Sequence, residues 1–198
     1  MAKTYKFFND KMGGADVTQH IGVSGEVFYD PATGFLRLSD GVTAGGILLN
    51  MIGRQGYCLT AYDTTLQANS ASVNLVKYNT PVISDGISIV DLTKITFAHA
   101  GRYNIQFSLQ MDKLDSGTDE FELWLVKNGV NVPFSNTKMT SVGNNDKFVA
   151  SWNFVEEALV GDYFELAWHS NDTEMRIFYT DATTRPAIPS AILTVTQV

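Results

Sequence analysis

From residue 56 onward, apolar and polar side chains alternate with a period of two, the pattern of strands that bury one face. In residues 102–112, Tyr103, Ile105, Phe107, Leu109 and Met111 alternate with polar neighbours. Residues 120–125 repeat the alternation, and Asn128-Gly129 follows as the pair that favours a type I′ hairpin turn. Further strands are predicted over 147–155, 163–169, 175–179 and 190–198. Upstream, two short strands are expected over 25–30 and 35–40, on either side of the turn-forming Pro31-Ala32-Thr33-Gly34. Residues 1–16 are polar and contain Gly13-Gly14, so they read as an arm, and a short turn is expected within 64–71. Nothing repeats at the helical period of 3.6. The pattern therefore predicts an all-β chain: an N-terminal arm and small β-hairpin module over 1–55, then an antiparallel sandwich or jelly roll over 56–198. A lone hairpin buries too little surface to stand by itself, so the N-terminal module must dock on something.

Composition narrows the functional classes. The chain has 198 residues, 44% of them hydrophobic, with a net charge of −7. No Lys/Arg cluster offers the electropositive face that phosphate backbones need, so nucleic acid is not an expected partner. No stretch is long and apolar enough for membrane insertion, and the opening residues hold no apolar h-region. The single Cys58 excludes an internal disulfide and reads as a buried thiol in a strand, consistent with a reducing compartment. Opposite the apolar stripe of 102–112 stand Asn104, Gln106, Ser108 and Gln110, uncharged where a freely solvated face carries Lys and Glu. That composition suits a subunit interface.

The sequence assigns no catalytic residue, no cofactor-binding residue and no metal ligand, and the chain reads as a non-enzyme. It has no nucleophile elbow, phosphate-binding loop, paired-His zinc motif or EF-hand loop. His169 and the carboxylates of Asp172 and Glu174 group as a weak candidate for a divalent ion but read better as a polar turn. His99 reads as a loop or interface residue, and His20 as a packing residue. Glu156-Glu157 is expected to begin a turn. Glu120 and Glu122 alternate with Phe121 and Leu123, so they belong on the solvent side of their strand. Asp30 and Asp40 have the placement of turn caps. Trp152 and Trp168 share the apolar stripe of their strands. Trp124 does not, and it is the one aromatic residue singled out for an interface or a ligand.

Thr18-Gln19-His20, followed by the run from Gly25-Glu26-Val27-Phe28-Tyr29-Asp30 to Leu36-Arg37-Leu38-Ser39-Asp40-Gly41-Val42-Thr43-Ala44-Gly45-Gly46, resembles the N-terminal domain of the phage major tropism determinant and related tail-fibre proteins. In those proteins, three copies wind into a β-prism that anchors a fibre. Three segments downstream, Phe97-Ala98-His99-Ala100-Gly101-Arg102-Tyr103, Leu159-Val160-Gly161-Asp162-Tyr163-Phe164-Glu165-Leu166 and Pro189-Ser190-Ala191-Ile192-Leu193-Thr194-Val195, are similar to the jelly roll of tumour necrosis factor and complement-type heads. Both resemblances imply a homotrimer. Together they imply a bacteriophage virion structural protein, assembled in the host cytoplasm. Its N-terminal module would bind other virion proteins, and its outer loops would face a host-surface glycan or protein. No shaft separates the two parts, so a capsid decoration protein that stabilises the shell is the alternative to a fibre or knob. A glycan-degrading appendage enzyme and a secreted cytokine-like ligand rank lower.

Overall fold

The computed structural model describes residues 17–32, 34–49, 56–70 and 72–198. The expected arm over 1–16 lies outside them. The chain divides into two units, 1–55 and 56–198.

In the first unit, β1 (Val27–Asp30), β2 (Phe35–Leu38) and β3 (Ile47–Leu49) form one antiparallel sheet in that order. Val27 stands opposite Leu38, and Leu36 opposite Leu49. The polar residues of this segment build its turns. Asp30 accepts the Ala32 N–H at 3.0 Å and the Arg37 Nε at 3.0 Å, while Arg37 also donates to the Gly45 carbonyl at 2.7 Å. Asp40 accepts from the Thr43 hydroxyl at 2.6 Å and from the N–H groups of Thr43 and Val42 at 2.7 and 2.9 Å. Those donors hold its carboxyl down at about 2, the hydroxyl counting most. Glu26 takes the Val23 N–H, and His20 lies 3.2 Å from its carboxylate and edge-on to Phe28. At Gly46, φ is +61° and a Cβ would meet the Phe28 ring, so no other residue fits without strain. Among the described residues of this unit, Val17 and Phe28 are the buried apolar side chains.

The second unit is all-β. Its strands are β4 (Cys58–Asp63), β5 (Gln67–Ala68), β6 (Asn74–Leu75), β7 (Thr80–Asp85), β8 (Ile87–Val90), β9 (Lys94–Phe97) and β10 (Gly101–Lys113). They continue with β11 (Asp119–Lys127), β12 (Val130–Asn131), β13 (Thr137–Ser141), β14 (Lys147–Ala158), β15 (Tyr163–Ser170), β16 (Met175–Ile177) and β17 (Ala191–Gln197). All ladders are antiparallel. The first sheet runs β5-β16-β10-β17-β4-β7, and β14 follows the other edge of β10 from Gly101 to Asp112. The second runs β12-β11-β15-β9-β8, with β13 on β11 and β6 on β15.

Period-two alternation sends Ile105, Phe107 and Leu109 of the first sheet and Leu123, Leu125 and Trp168 of the second into one shared core. Phe97 of the second sheet joins the two layers. Its ring lies 4.5 Å from Tyr103 of the first sheet and 5.7 Å from Phe164 of its own. Truncating a core ring such as Phe107 to Ala costs about 3–5 kcal/mol.

Several sequence expectations need correction. Glu156 and Glu157 begin no turn, because β14 continues through them to Ala158. Cys58 lies in a strand but faces away from the core, since its neighbours Leu59 and Ala61 take the inward positions, and it is partly exposed. Residues 64–71 include the short strand β5 rather than only a turn. The strands β3, β6, β7, β8, β9 and β13 were not anticipated. β7 carries Pro81 next to a register shift against Thr60 and Ala61, a placement that an edge strand tolerates.

Candidate functional site

The two sheets turn chemically opposite faces outward. On the first, register places Asn104 beside Val155 and Thr196, then Gln106 beside Asn153 and Thr194, then Ser108 beside Ser151 and Ile192. β4 adds Cys58, Thr60 and Tyr62 to the same face. None of these side chains is charged. Among the described residues of β10, β14, β17 and β4, charge on this face lies at its two ends, and on the edge strand β7 Asp85 stands opposite Cys58. Arg102 pairs with Glu157 at 3.0 Å at one end. At the other, the buried Asp112 binds Arg176 at 2.6 Å and the Lys147 ammonium. Burial pushes the Asp112 carboxyl upward, but the hydrogen bonds from Lys147 and Arg176 outweigh it and leave the carboxyl below its ordinary range.

This sheet also ends on a bare edge. Among the described residues β14 pairs with β10 alone, so one side of a 12-residue strand is unpaired. Phe148, Trp152 and Phe154 point inward from it yet stay only half-buried.

On the outer face of the second sheet stand Glu120, Glu122 and Trp124 of β11, with Lys138 of β13 alongside. Lys138 lies 2.8 Å from Glu120 and 3.1 Å from Glu122. Hydrogen bonds from Lys138 and Asn136 hold the Glu122 carboxyl below its usual range, and both glutamates raise the lysine. Trp124 falls where β12 has ended and β13 has not begun. There the loop 132–136 covers the strand edge: Val132 N–H donates to the Leu125 carbonyl at 2.9 Å, and Leu125 N–H donates to Ser135 Oγ at 3.0 Å.

Within this loop Pro133 precedes Phe134, and the Ser135 N–H returns to the Val132 carbonyl at 3.4 Å. Phe134 has φ +62°. Pro at the second position and positive φ at the third is the pattern of a type II turn, whose third position ordinarily holds Gly or Asn. A phenylalanine there stores about 1–3 kcal/mol of backbone strain, and its ring is fully exposed. The indole N–H of Trp124 donates to Asn131 Oδ1 at 2.8 Å, which fixes the ring's orientation. Trp124, Phe134, Val132, Glu122, Asn131 and Asn136 line a cleft of about 280 Å³. Asn128-Gly129, both at positive φ, forms the hairpin turn that sets β12 beside β11.

The other residues marked in the sequence make contacts of their own. His169 stands opposite Glu122 across the ladder, and Asp172 gathers instead with Asp115 and Asp119, their carboxylate oxygens within 4.8 Å of one another. A fully buried lysine, Lys113, lies 2.8 Å from Asp119 and supplies positive charge to that group. His99 stacks on Tyr57 at 3.8 Å. Trp168 is buried, and Trp152 packs edge-on against Phe107 at 4.9 Å. Trp124 was legible as an outlier in its strand. Phe134 and Lys113 were missed. No helix among the described residues is long and apolar enough to cross a membrane. The chain matches no family model and no curated protein.

Proposed function

We propose that this chain is a non-enzymatic, homotrimeric surface appendage of a bacteriophage particle, docked through its N-terminal module and presenting its larger unit outward. The observation that carries the reading is the uncharged centre of the first sheet's outer face, flanked by the edge of β14 that has no strand partner among the described residues. A solvated sheet face normally mixes charges of both signs, and a long unpaired strand invites pairing with another chain. Closing three subunits around one axis covers both features on every copy.

The strand order supports a jelly roll for the larger unit. Eight principal strands, β4, β9, β10, β11, β13, β14, β15 and β17, divide as β4-β17-β10-β14 and β9-β15-β11-β13. In chain order that is 1-8-3-6 and 2-7-4-5, the arrangement of two interlocked Greek keys. The phage assignment rests on the N-terminal resemblance. Geometry supports it to this extent: the Asp and Gly positions that carry the resemblance build the turns around β1 and β2. The non-enzymatic reading is supported by Glu120 and Glu122, which share one ammonium. A glycosidase acid needs its carboxyl raised, whereas Glu122 is lowered.

Light scattering on the full chain at micromolar concentration tests the assembly, with a mass three times the 21.8 kDa subunit expected. A stable, well-folded monomer overturns it. An antibody raised against the larger unit should label intact phage particles. Labelling together with blocked adsorption marks an attachment appendage. Labelling without that effect, and fragile particles on deletion, marks a decoration protein.

A further inference from the structure

The geometry points to a glycan-binding site: we propose that the Trp124–Phe134 cleft on the outer face of the second sheet takes one ring of a neutral sugar polymer. The inference deepens the attachment reading above and rests on it for where the sugar is found, although the cleft itself is built within one subunit.

A sugar ring presents C–H groups on its faces and hydroxyls around its rim. It therefore needs a flat apolar surface and, at the border, groups that both donate and accept hydrogen bonds. Trp124 and Phe134 supply aromatic surface outside the core. Around them Glu122 offers carboxylate acceptors, while Asn131 and Asn136 offer amides that donate and accept. Asn131 already spends its oxygen on the Trp124 indole N–H, which leaves its NH₂ directed to other partners. The volume, about 280 Å³, falls just under the roughly 300–1,000 Å³ of pockets for drug-sized ligands, as suits a single ring.

The charge argues for a neutral sugar. Glu122 is held ionised by Lys138 and Asn136, and it faces the cleft. A uronic or sialic acid would bring a second carboxylate against it. Lys138 does not line the cleft, and its ammonium is engaged by Glu120 and Glu122.

The backbone of Phe134 supplies the second, independent observation. A residue held at positive φ in a turn that prefers glycine, with its ring wholly in water, gives the fold no packing in return. Strain of that kind collects where a side chain must be presented to a ligand.

The test uses the assembled full-length protein. It is titrated with a panel of neutral oligosaccharides built from glucose, galactose and their N-acetylated amines, beside counterparts carrying uronic or sialic acid, with binding read by calorimetry. At least one neutral member is expected to bind, and the acidic counterpart tenfold or more weaker. Phe134→Gly should keep or raise the melting temperature, keep the assembly mass and lose binding at least tenfold. Trp124→Ala should lose binding likewise. The proposal is overturned if no neutral glycan binds up to about 10 mM, well above the ~1 mM constants of weak sites. It is equally overturned if acidic glycans bind as well as neutral ones, or if Phe134→Gly binds like the parent. Light scattering on the same samples separates this failure from failure of the appendage reading. A trimer that ignores sugars sinks only the cleft, whereas a monomer that binds them sinks only the assembly.

Discussion

The two sheets of the larger unit bury the same kinds of side chain and turn opposite kinds outward. Beneath both lies one aliphatic and aromatic core. Above the first, Gln106, Ser108, Asn153 and Thr194 form a neutral plain bounded by ion pairs at its ends. Above the second, Lys138 ties Glu120 to Glu122, and Trp124 rises beside them. Core packing cannot have produced this difference, because the core does not distinguish the layers. What selects an outward residue is what it meets: water tolerates charge, and a close-packed neighbour tolerates it poorly. In the reading proposed above, the first face meets another copy of the chain and the second a neutral sugar ring.

The sharpest way to break that contrast is to put a charge on each face in turn. Gln106→Arg places a guanidinium in the middle of the neutral plain and should abolish the trimer in light scattering. Thr140→Arg, opposite Glu120 on the charged face, should leave it intact. Equal behaviour of the two variants would erase the distinction. Next in size is Asp112→Ala, which leaves Lys147 and Arg176 without their shared buried carboxylate. Losing those charge-assisted hydrogen bonds, with both cations able to reach water, should lower stability by about 2 kcal/mol in urea denaturation. Phe134→Gly should move the other way, gaining about 1 kcal/mol as the strained turn relaxes. A loss of stability there would mean that the ring supports the fold.

The smallest effect concerns pH. The Leu159 N–H, Asn128 and Lys127 hold Asp162 down at about 2. Because folding lowers this carboxyl, its contribution is complete above the ordinary range near 4 and disappears as pH falls toward 2. Asp162→Asn should therefore cost less than about 1 kcal/mol at pH 6 and match the parent at pH 2. A cost that persists at pH 2 would show that geometry, not charge, is what the residue supplies.

How much of this was legible in the sequence depends on the range over which each signal acts. Residues 102–112 announced their strand because alternation is local, and Asn128-Gly129 announced its hairpin because turn chemistry is local. Half of the neutral face was visible too, in Asn104, Gln106, Ser108 and Gln110. The other half lies on β14 and β17, and only the ladder register brings it alongside. Lys113, Asp119 and Asp172 meet because hairpin ends converge in space, which no spacing rule reports. Phe134 escaped notice for the opposite reason: the turn signal is Gly or Asn after Pro, and a phenylalanine there conceals the turn. Trp124 stood out by parity alone, but its cleft needed the loop that folds over it.

The open side of β14 has a practical consequence for anyone producing this protein. Alternate residues of this strand turn backbone N–H and C=O groups to a side with no strand partner among the described residues, and with the half-buried Phe148, Trp152 and Phe154 beside them they make an adhesive rim. Val149, Ser151, Asn153 and Val155 put no gatekeeping charge along it. Subunits kept apart, by dilution during refolding or by a variant such as Gln106→Arg, should collect into β-rich precipitate on concentration. The proposed assembly is then a matter of solubility as much as of architecture.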